Sequence, residues 1–307
     1  MHIALHGLVI LFCVFGLWGG AVWIVESAAR IARKLGFSEL VIGLTVVAFG
    51  TSAPEFAVTV GAALMGEADI SVGNVIGSNI FNLGFILGGV AVVRAIATSH
   101  HMVVRDGGVL IGTTLLLVFF FRDLFLSRWE GLMLVLLLVA YLALLIRSRE
   151  PVEDVPPGEF HWYEIPRFIA GVALVILSGH YLVESAVAIA RAVGVSEWVI
   201  GVTIVAAGTS APEFATSLVA VIRGRHGISA GNLIGSDIFN LLGVLGVAGF
   251  LRPMTVTPEV YGSLWVLVGM VIIVVVFLMR TGWVISRAEG AFLILVNLAR
   301  WILDFLK

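Results

Sequence analysis

Apolar residues fill this chain in long blocks, without the two-residue alternation or the three-and-four spacing that marks elements half-exposed to water. A helix needs about 20 apolar residues to cross a hydrocarbon core of about 30 Å. Ten blocks of that kind can be drawn, at about 7–29, 40–65, 70–93, 108–121, 129–146, 167–190, 198–222, 228–251, 261–279 and 283–303. The fourth is the shortest. Polar interruptions are brief except at 147–167, which holds Pro151, Pro156, Pro157 and Pro166 with five acidic side chains and reads as a surface linker. The pattern predicts an all-α polytopic membrane protein.

The blocks repeat. Glu26-Ser-Ala-Ala-Arg and Gly36-Phe-Ser-Glu-Leu-Val-Ile-Gly return as Glu184-Ser-Ala-Val-Ala and Gly194-Val-Ser-Glu-Trp-Val-Ile-Gly. An offset of 158 carries Glu55 to Glu213, Ser78 to Ser236 and Asn82 to Asn240 without a gap. With five spans in each half, the second half must enter the membrane upside down relative to the first. The expected layout is therefore two inverted five-helix repeats, about ten transmembrane helices in all. Residues 1–148 form the first repeat, with its motifs at about 40–93. Residues 149–165 form a cytoplasmic linker, and 166–307 the second repeat, with its motifs at about 198–251. If both termini lie outside, twelve Lys and Arg fall in inside loops and six outside, the sense that the positive-inside rule favours.

Composition agrees with the membrane reading. Hydrophobic residues make up 60% of the 307 and charged residues 12%, with a mean hydropathy of +1.10. Soluble chains carry roughly 25% charged residues. The first block is too long for a signal-peptide core and has no Lys or Arg before it, so it is expected to stay as a mature helix. Cys13 is the only cysteine, which excludes an internal disulfide and a cysteine-based metal cluster. A net charge of −2, spread over short loops, gives no footprint for nucleic acid.

Gly-Thr-Ser-Ala-Pro-Glu-Phe occurs twice, at 50–56 and 208–214, in the middle of apolar blocks. An ionisable residue inside a membrane span is by default functional. Pro54 and Pro212 are the only prolines deep inside apolar spans; the other six lie in the linker or after Phe250. Proline removes a backbone donor and breaks the helix, so carbonyls near it lose their partners and must be satisfied by protein, water or a ligand. Every nearby polar group is an oxygen, from Thr51, Ser52 and Glu55 or from Thr209, Ser210 and Glu213. A cation is the natural ligand.

A second motif follows each break: Gly73-Asn-Val-Ile-Gly-Ser-Asn-Ile-Phe-Asn82 and Gly231-Asn-Leu-Ile-Gly-Ser-Asp-Ile-Phe-Asn240. Ser78 and Asn82 share a helix face, as do Ser236 and Asn240. Gly73 with Gly77, and Gly231 with Gly235, form small-xxx-small pairs that let backbones approach closely. They are expected to press this helix against the broken one and complete an oxygen cage. Hard cations such as calcium take 6–8 oxygen ligands.

These paired motifs resemble the α-repeats of the sodium/calcium exchanger family, within the cation/calcium exchanger superfamily, and the ten-span layout fits the whole chain. The resemblance implies an antiporter with four adjacent cation sites and calcium and sodium as transported ions. By motif position it makes Glu55 and Glu213 the shared central ligands. Thr51, Ser52, Thr209 and Ser210 would add hydroxyls, Ser78, Ser236, Asn82 and Asn240 side-chain oxygens, and Ala48 and Ala206 backbone carbonyls. It also implies that the first and sixth spans slide across the remaining bundle, and Gly19, Gly20 and Gly179 give those helices slender surfaces. Asn at both 82 and 240 is closer to the potassium-independent type. Asp237 is one helical step of about 100° from Ser236, so its place in or out of the cage stays open.

One divalent ion, or several sodium ions, would neutralise the two glutamates, and an empty cage would leave unpaired carboxylates in a low dielectric. Exchange follows if only a filled cage can cross. Proton coupling is the alternative within antiport, and a passive cation channel the alternative to it. An intramembrane hydrolase would need a base beside its nucleophile, and neither motif has a His or Lys next to a serine, so no enzyme is expected. No cofactor is expected, the setting is the plasma or inner membrane, and one copy is expected to suffice. Glu26 and Glu184 are read as helix-end contacts and His180 as a lone polar residue.

Overall fold

The computed structural model describes residues 2–148, 158–194 and 206–305. Most of the linker lies outside these residues, as does the first part of the span expected at 198–222. The first half holds α1 (His2–Leu35), α2 (Glu39–Thr51), α3 (Ala53–Met65), α4 (Ala68–Val93), α5 (Met102–Asp123) and α6 (Arg128–Arg147). The second holds α7 (Glu164–Ala192), α8 (Ala206–Thr209), α9 (Ala211–Ile222), α10 (His226–Leu251), α11 (Pro258–Arg280) and α12 (Arg287–Phe305). Among the described residues seven helices are long and apolar enough to cross a bilayer, and eight when the bent pair α2–α3 is taken as one span. The α12 helix, at 19 residues, is ~28 Å long by helical rise. The expected linker runs slightly too far, since α7 begins at Glu164 and takes in Pro166, and proline is tolerated in a helix's first turn.

Four two-residue strands decide how the halves are related. In the first half β1 (Ile96–Ala97) and β2 (Phe125–Leu126) stand at opposite ends of α5. In the second, β3 (Met254–Thr255) and β4 (Val284–Ile285) stand at opposite ends of α11. β1 pairs with β4 and β2 with β3, both antiparallel. The loop after α4 therefore shares a membrane face with the loop after α11, while the loop after α10 lies on the other face. That arrangement requires the inversion the odd span count predicted. Arg94 and Arg252, equivalent at the offset of 158, repeat the exchange. Arg94 donates to the carbonyls of Val221 and Ile222 at 3.1 and 3.0 Å, and Arg252 to that of Leu64 at 2.6 Å. Each thus serves orphan carbonyls at the end of a helix in the other half.

The α1 and α7 helices run antiparallel and form a pair. A Cβ at Gly20 would lie 2.9 Å from the Gly171 carbonyl, and one at Gly171 2.9 Å from the Gly20 carbonyl. Gly20 therefore joins the two helices to each other, which corrects the expectation that it faces the bundle. Gly179 does face the bundle, near Pro212 and the Gly208 carbonyl. At the linker end Ser27 and Arg30 both donate to buried Glu164, at 2.7 and 2.5 Å. Glu26 accepts from Arg167 at 2.6 Å and pairs with Arg223, an ion-pair role more specific than helix-end packing. Its counterpart Glu184 is exposed, and so is His180.

Candidate functional site

The two glutamates owe their position to the broken helices. Pro54 lies in the first turn of α3, where its missing N–H has no intrahelical partner to lose. Ser52 stands between α2 and α3 at φ −82°, ψ 10°, and the helices meet at 52°. Ser210 repeats the conformation at φ −91°, ψ 10°, with Pro212 and Glu213 in the first turn of α9. Each break turns the carbonyl end of one short helix and the N–H end of the next toward the same point. Glu55 and Glu213 sit at the N-termini, where the helix dipole favours a negative charge.

The halves interlock through these residues. Ser52 Oγ donates to Glu213 Oε1 at 3.0 Å, and Ser210 Oγ donates to Glu55 Oε1 at 3.2 Å. Each glutamate is held by a serine from the other repeat. Thr51 is buried, with its hydroxyl 3.0 Å from Asn232 Oδ1 and 3.4 Å from Ser236 Oγ, both on α10. Thr209, its counterpart, is half-buried. Ser78, Asn82, Ser236 and Asn240 are all buried on the faces of α4 and α10 that the spacing predicted. The Ala48 carbonyl accepts from Ser52 N–H at 3.0 Å and from Thr51 Oγ1 at 3.3 Å. Ala206 opens α8.

Between the two repeats, five acceptor oxygens remain without a partner. Among the described residues, Glu55 Oε2, Glu213 Oε2, Asn82 Oδ1, Asn240 Oδ1 and Asp237 Oδ2 are buried and make no hydrogen bond. Leaving a buried polar atom unpaired is expensive, and here all five are oxygens that can only accept when the acids are ionised. A cation satisfies such a set. No three His, Cys, Asp or Glu side chains converge on one point among the described residues, so the arrangement depends on amides and hydroxyls as much as on acids. Asp237, which the sequence left open, lies in it: Asn82 Nδ2 donates to its Oδ1 at 3.0 Å.

Asn74 and Asn232 belong to the second motif but were given no role by the sequence. Asn74 Nδ2 donates to Thr59 Oγ1 at 2.9 Å and the Glu55 carbonyl at 3.4 Å; Asn232 Nδ2 donates to Ser217 Oγ at 2.9 Å and the Glu213 carbonyl at 3.3 Å. They fix the glutamate-bearing turns to α4 and α10. Their recurrence at the common offset was the available signal. On the linker side the expected glycine contact is present. A Cβ at Gly235 would meet Leu44 Cα at 2.7 Å, and one at Gly231 the Leu40 carbonyl at 2.7 Å. This backbone contact of α10 with α2 seals one side of the cage. For Gly73 and Gly77, the matching partner segment at 195–205 lies outside the described residues.

An inverted repeat whose broken helices bring buried, acceptor-only oxygens together belongs to the class of ion-transporting membrane proteins. The model of the family described as "Sodium/calcium exchanger protein" matches residues 5–147 and 164–299, one stretch in each half. The chain belongs to the sodium/calcium exchanger family. It is 36% identical over 285 residues to CaxA of Alkalimonas amylolytica, covering 88% of this chain and 89% of that protein. It is 31% identical to the sodium/calcium exchanger MaX1 of Methanosarcina acetivorans, covering 99% of each. A solved structure of the sodium-calcium exchanger NCX_Mj superposes with a TM-score of 0.86 at 30% identity, covering 99% of this chain and 100% of that one.

Proposed function

We propose that this protein is a secondary-active antiporter that exchanges sodium for calcium by alternating access, with the ions held between the two repeats. The observation that carries the proposal is the set of unpartnered oxygens on Glu55, Glu213, Asn82 and Asn240, on residues drawn equally from both halves. Thr51, Ser52, Thr209, Ser210, Ser78 and Ser236 add hydroxyls beside them. Ala48 and Ala206 add carbonyls once the bonds now held by Ala48 are released. Calcium brings two positive charges to two glutamates, and two sodium ions bring the same. The two loads use the same oxygens and exclude each other, and neither glutamate is left unpaired in a low dielectric as the cage crosses. The α2–α10 seal supports alternating access by closing the linker side.

The sodium reading rests on the neutral hydroxyls and amides around the acids, which a proton load would not need. The twelve-to-six charge bias favours a plasma or inner membrane setting with both termini outside and the linker at 149–165 in the cytoplasm, between repeats 1–148 and 166–307. All groups of the cage come from one chain, so a single copy suffices.

Binding competition tests the shared cage. In purified protein, bound 45Ca2+ is displaced by sodium, and the apparent calcium affinity falls steadily as sodium rises. Calcium binding that ignores sodium would refute a common site. The positioning asparagines give a graded prediction. Asn232→Ala removes one acceptor of Thr51 and the amide donor to Ser217 and the Glu213 carbonyl, in a buried setting where such a loss amounts to about 1–3 kcal/mol. Calcium affinity in the same assay should fall about 10-fold or more. Asn74→Ala, at a half-buried position, should have the smaller effect.

A further inference from the structure

The two membrane faces differ in charge once the repeats are matched by their offset. On the linker face α1 and α7 are tied by ion pairs. Arg30 donates to Glu164 at 2.5 Å and Arg167 to Glu26 at 2.6 Å, with Arg167 also 3.6 Å from Glu164. The other oxygen of Glu26 pairs with Arg223, which follows the last turn of α9. Of these contacts, the one to Arg223 alone leaves the α1–α7 pair and reaches the bundle. Arg223 lies ten residues beyond Glu213, about 15 Å by helical rise, so it is remote from the cage.

The opposite face carries no such network. The offset of 158 relates Glu26 to Glu184, but Arg30 to Ala188, Arg167 to Val9 and Arg223 to Met65. The acid recurs, and all three cations are replaced by apolar residues. Glu184 is exposed and pairs with no Lys or Arg among the described residues. Inverted repeats exchange conformations when access changes sides, so a chain of perfect pseudo-symmetry would open to both sides equally. A preferred side has to come from residues that break the symmetry, and the pairing of Glu26 with Arg223 is such a break. It holds α1 against α9 on the side that the α2–α10 contact also closes.

We propose that Glu26 and Arg223 form a latch that favours the closed linker face and parts when the cage opens to that side. Their side chains are 26% and 41% exposed, so water takes over both charges on separation and the pair breaks at small cost. Glu26 keeps Arg167 as a partner when Arg223 leaves, so α1 and α7 stay joined while they part from α9. The latch rests on the reading of alternating access at a shared cage, and adds to it a preferred side. It sets the population of the two access states and leaves the ligands of the cage untouched.

The test measures half-saturating calcium for 45Ca2+ uptake from each face, in membrane vesicles of the two orientations. An impermeant thiol reagent on Trp162→Cys, at a position 79% exposed beside α7, identifies the linker face. A state that is only partly populated weakens apparent affinity by its fraction. Glu26→Gln is therefore expected to lower half-saturating calcium at the linker face by about two- to fivefold, and not to lower it at the other face. Arg223→Met, which installs the residue type found at Met65, should give the same one-sided shift, and Glu184→Gln should give none. An unchanged value at the linker face, equal shifts at both faces, or loss of uptake from both faces in both latch variants overturns the proposal. Failure of the exchange reading is distinguishable, because it would show in the wild type as uptake indifferent to sodium.

Discussion

Glu55→Gln and Glu213→Gln are each expected to lower sodium-driven 45Ca2+ uptake by about 100-fold or more. Glutamine keeps the shape and the serine bond but removes the charge. Truncating one member of a fully desolvated charge pair typically amounts to about 3–5 kcal/mol, and each 1.4 kcal/mol is tenfold. Ser52 and Ser210 would still meet the side chains across the interface between the repeats, so the variants should fold and reach the membrane. Uptake within threefold of wild type in either variant would remove that glutamate from the ion path. A loss in one variant only would show that the two halves contribute unequally to the load.

The second large effect is structural. Gly235→Val would force a side chain against Leu44 Cα and carbonyl, with a built Cβ already at 2.7 and 2.8 Å. Backbone atoms cannot rotate out of the way. Overpacking of this kind typically destabilises by about 1–3 kcal/mol, sometimes more. The expected outcome is a lowered thermal midpoint in detergent together with lost calcium binding, since Ser236 and Asn232 ride on the same helix. Gly262→Ala, which points into open space among the described residues, should leave both unchanged. A Gly235→Val protein with wild-type stability and affinity would show that the α2–α10 contact does not hold the cage.

Much of this architecture was legible in the sequence for identifiable reasons. The spans follow from block length, and the inversion from an odd number of spans per half. The breaks follow from two prolines placed deep in apolar segments. The spacing of 51, 52 and 55, and of 78 and 82, repeated at the same offset in the second half, puts those side chains on shared helix faces. What stayed hidden was pairing at long range. The crossing of Ser52 to Glu213 and of Ser210 to Glu55 has no local pattern, and it depends on how two folded halves dock. The short ladders are two residues long, below what alternation can reveal.

Two further features needed coordinates. π-helical turns at Gly43–Val47, Asn82–Ile86 and Phe239–Val244 shift the helix faces by a residue at the cage, as such bulges often do near functional sites. Ser236 and Asp237 precede the turn at Phe239, in regular helix; what the sequence could not place is Asn82 of the other half, which the structure sets against Asp237. Gly20 misled for a related reason. A small residue marks close approach, but its sequence does not say to which neighbour, and here it is Gly171 of the paired helix.

Calcium moving against sodium through the cage formed by Glu55 and Glu213 can be measured as flux. Proteoliposomes loaded with sodium, potassium or protons in separate arms, and diluted into medium with 45Ca2+ lacking that ion, test it most directly. Rapid calcium uptake is expected with an outward sodium gradient, little with the others, and uptake lower by about 100-fold or more in Glu55→Gln. Uptake that follows the proton gradient, or that proceeds without any opposing gradient, would contradict it.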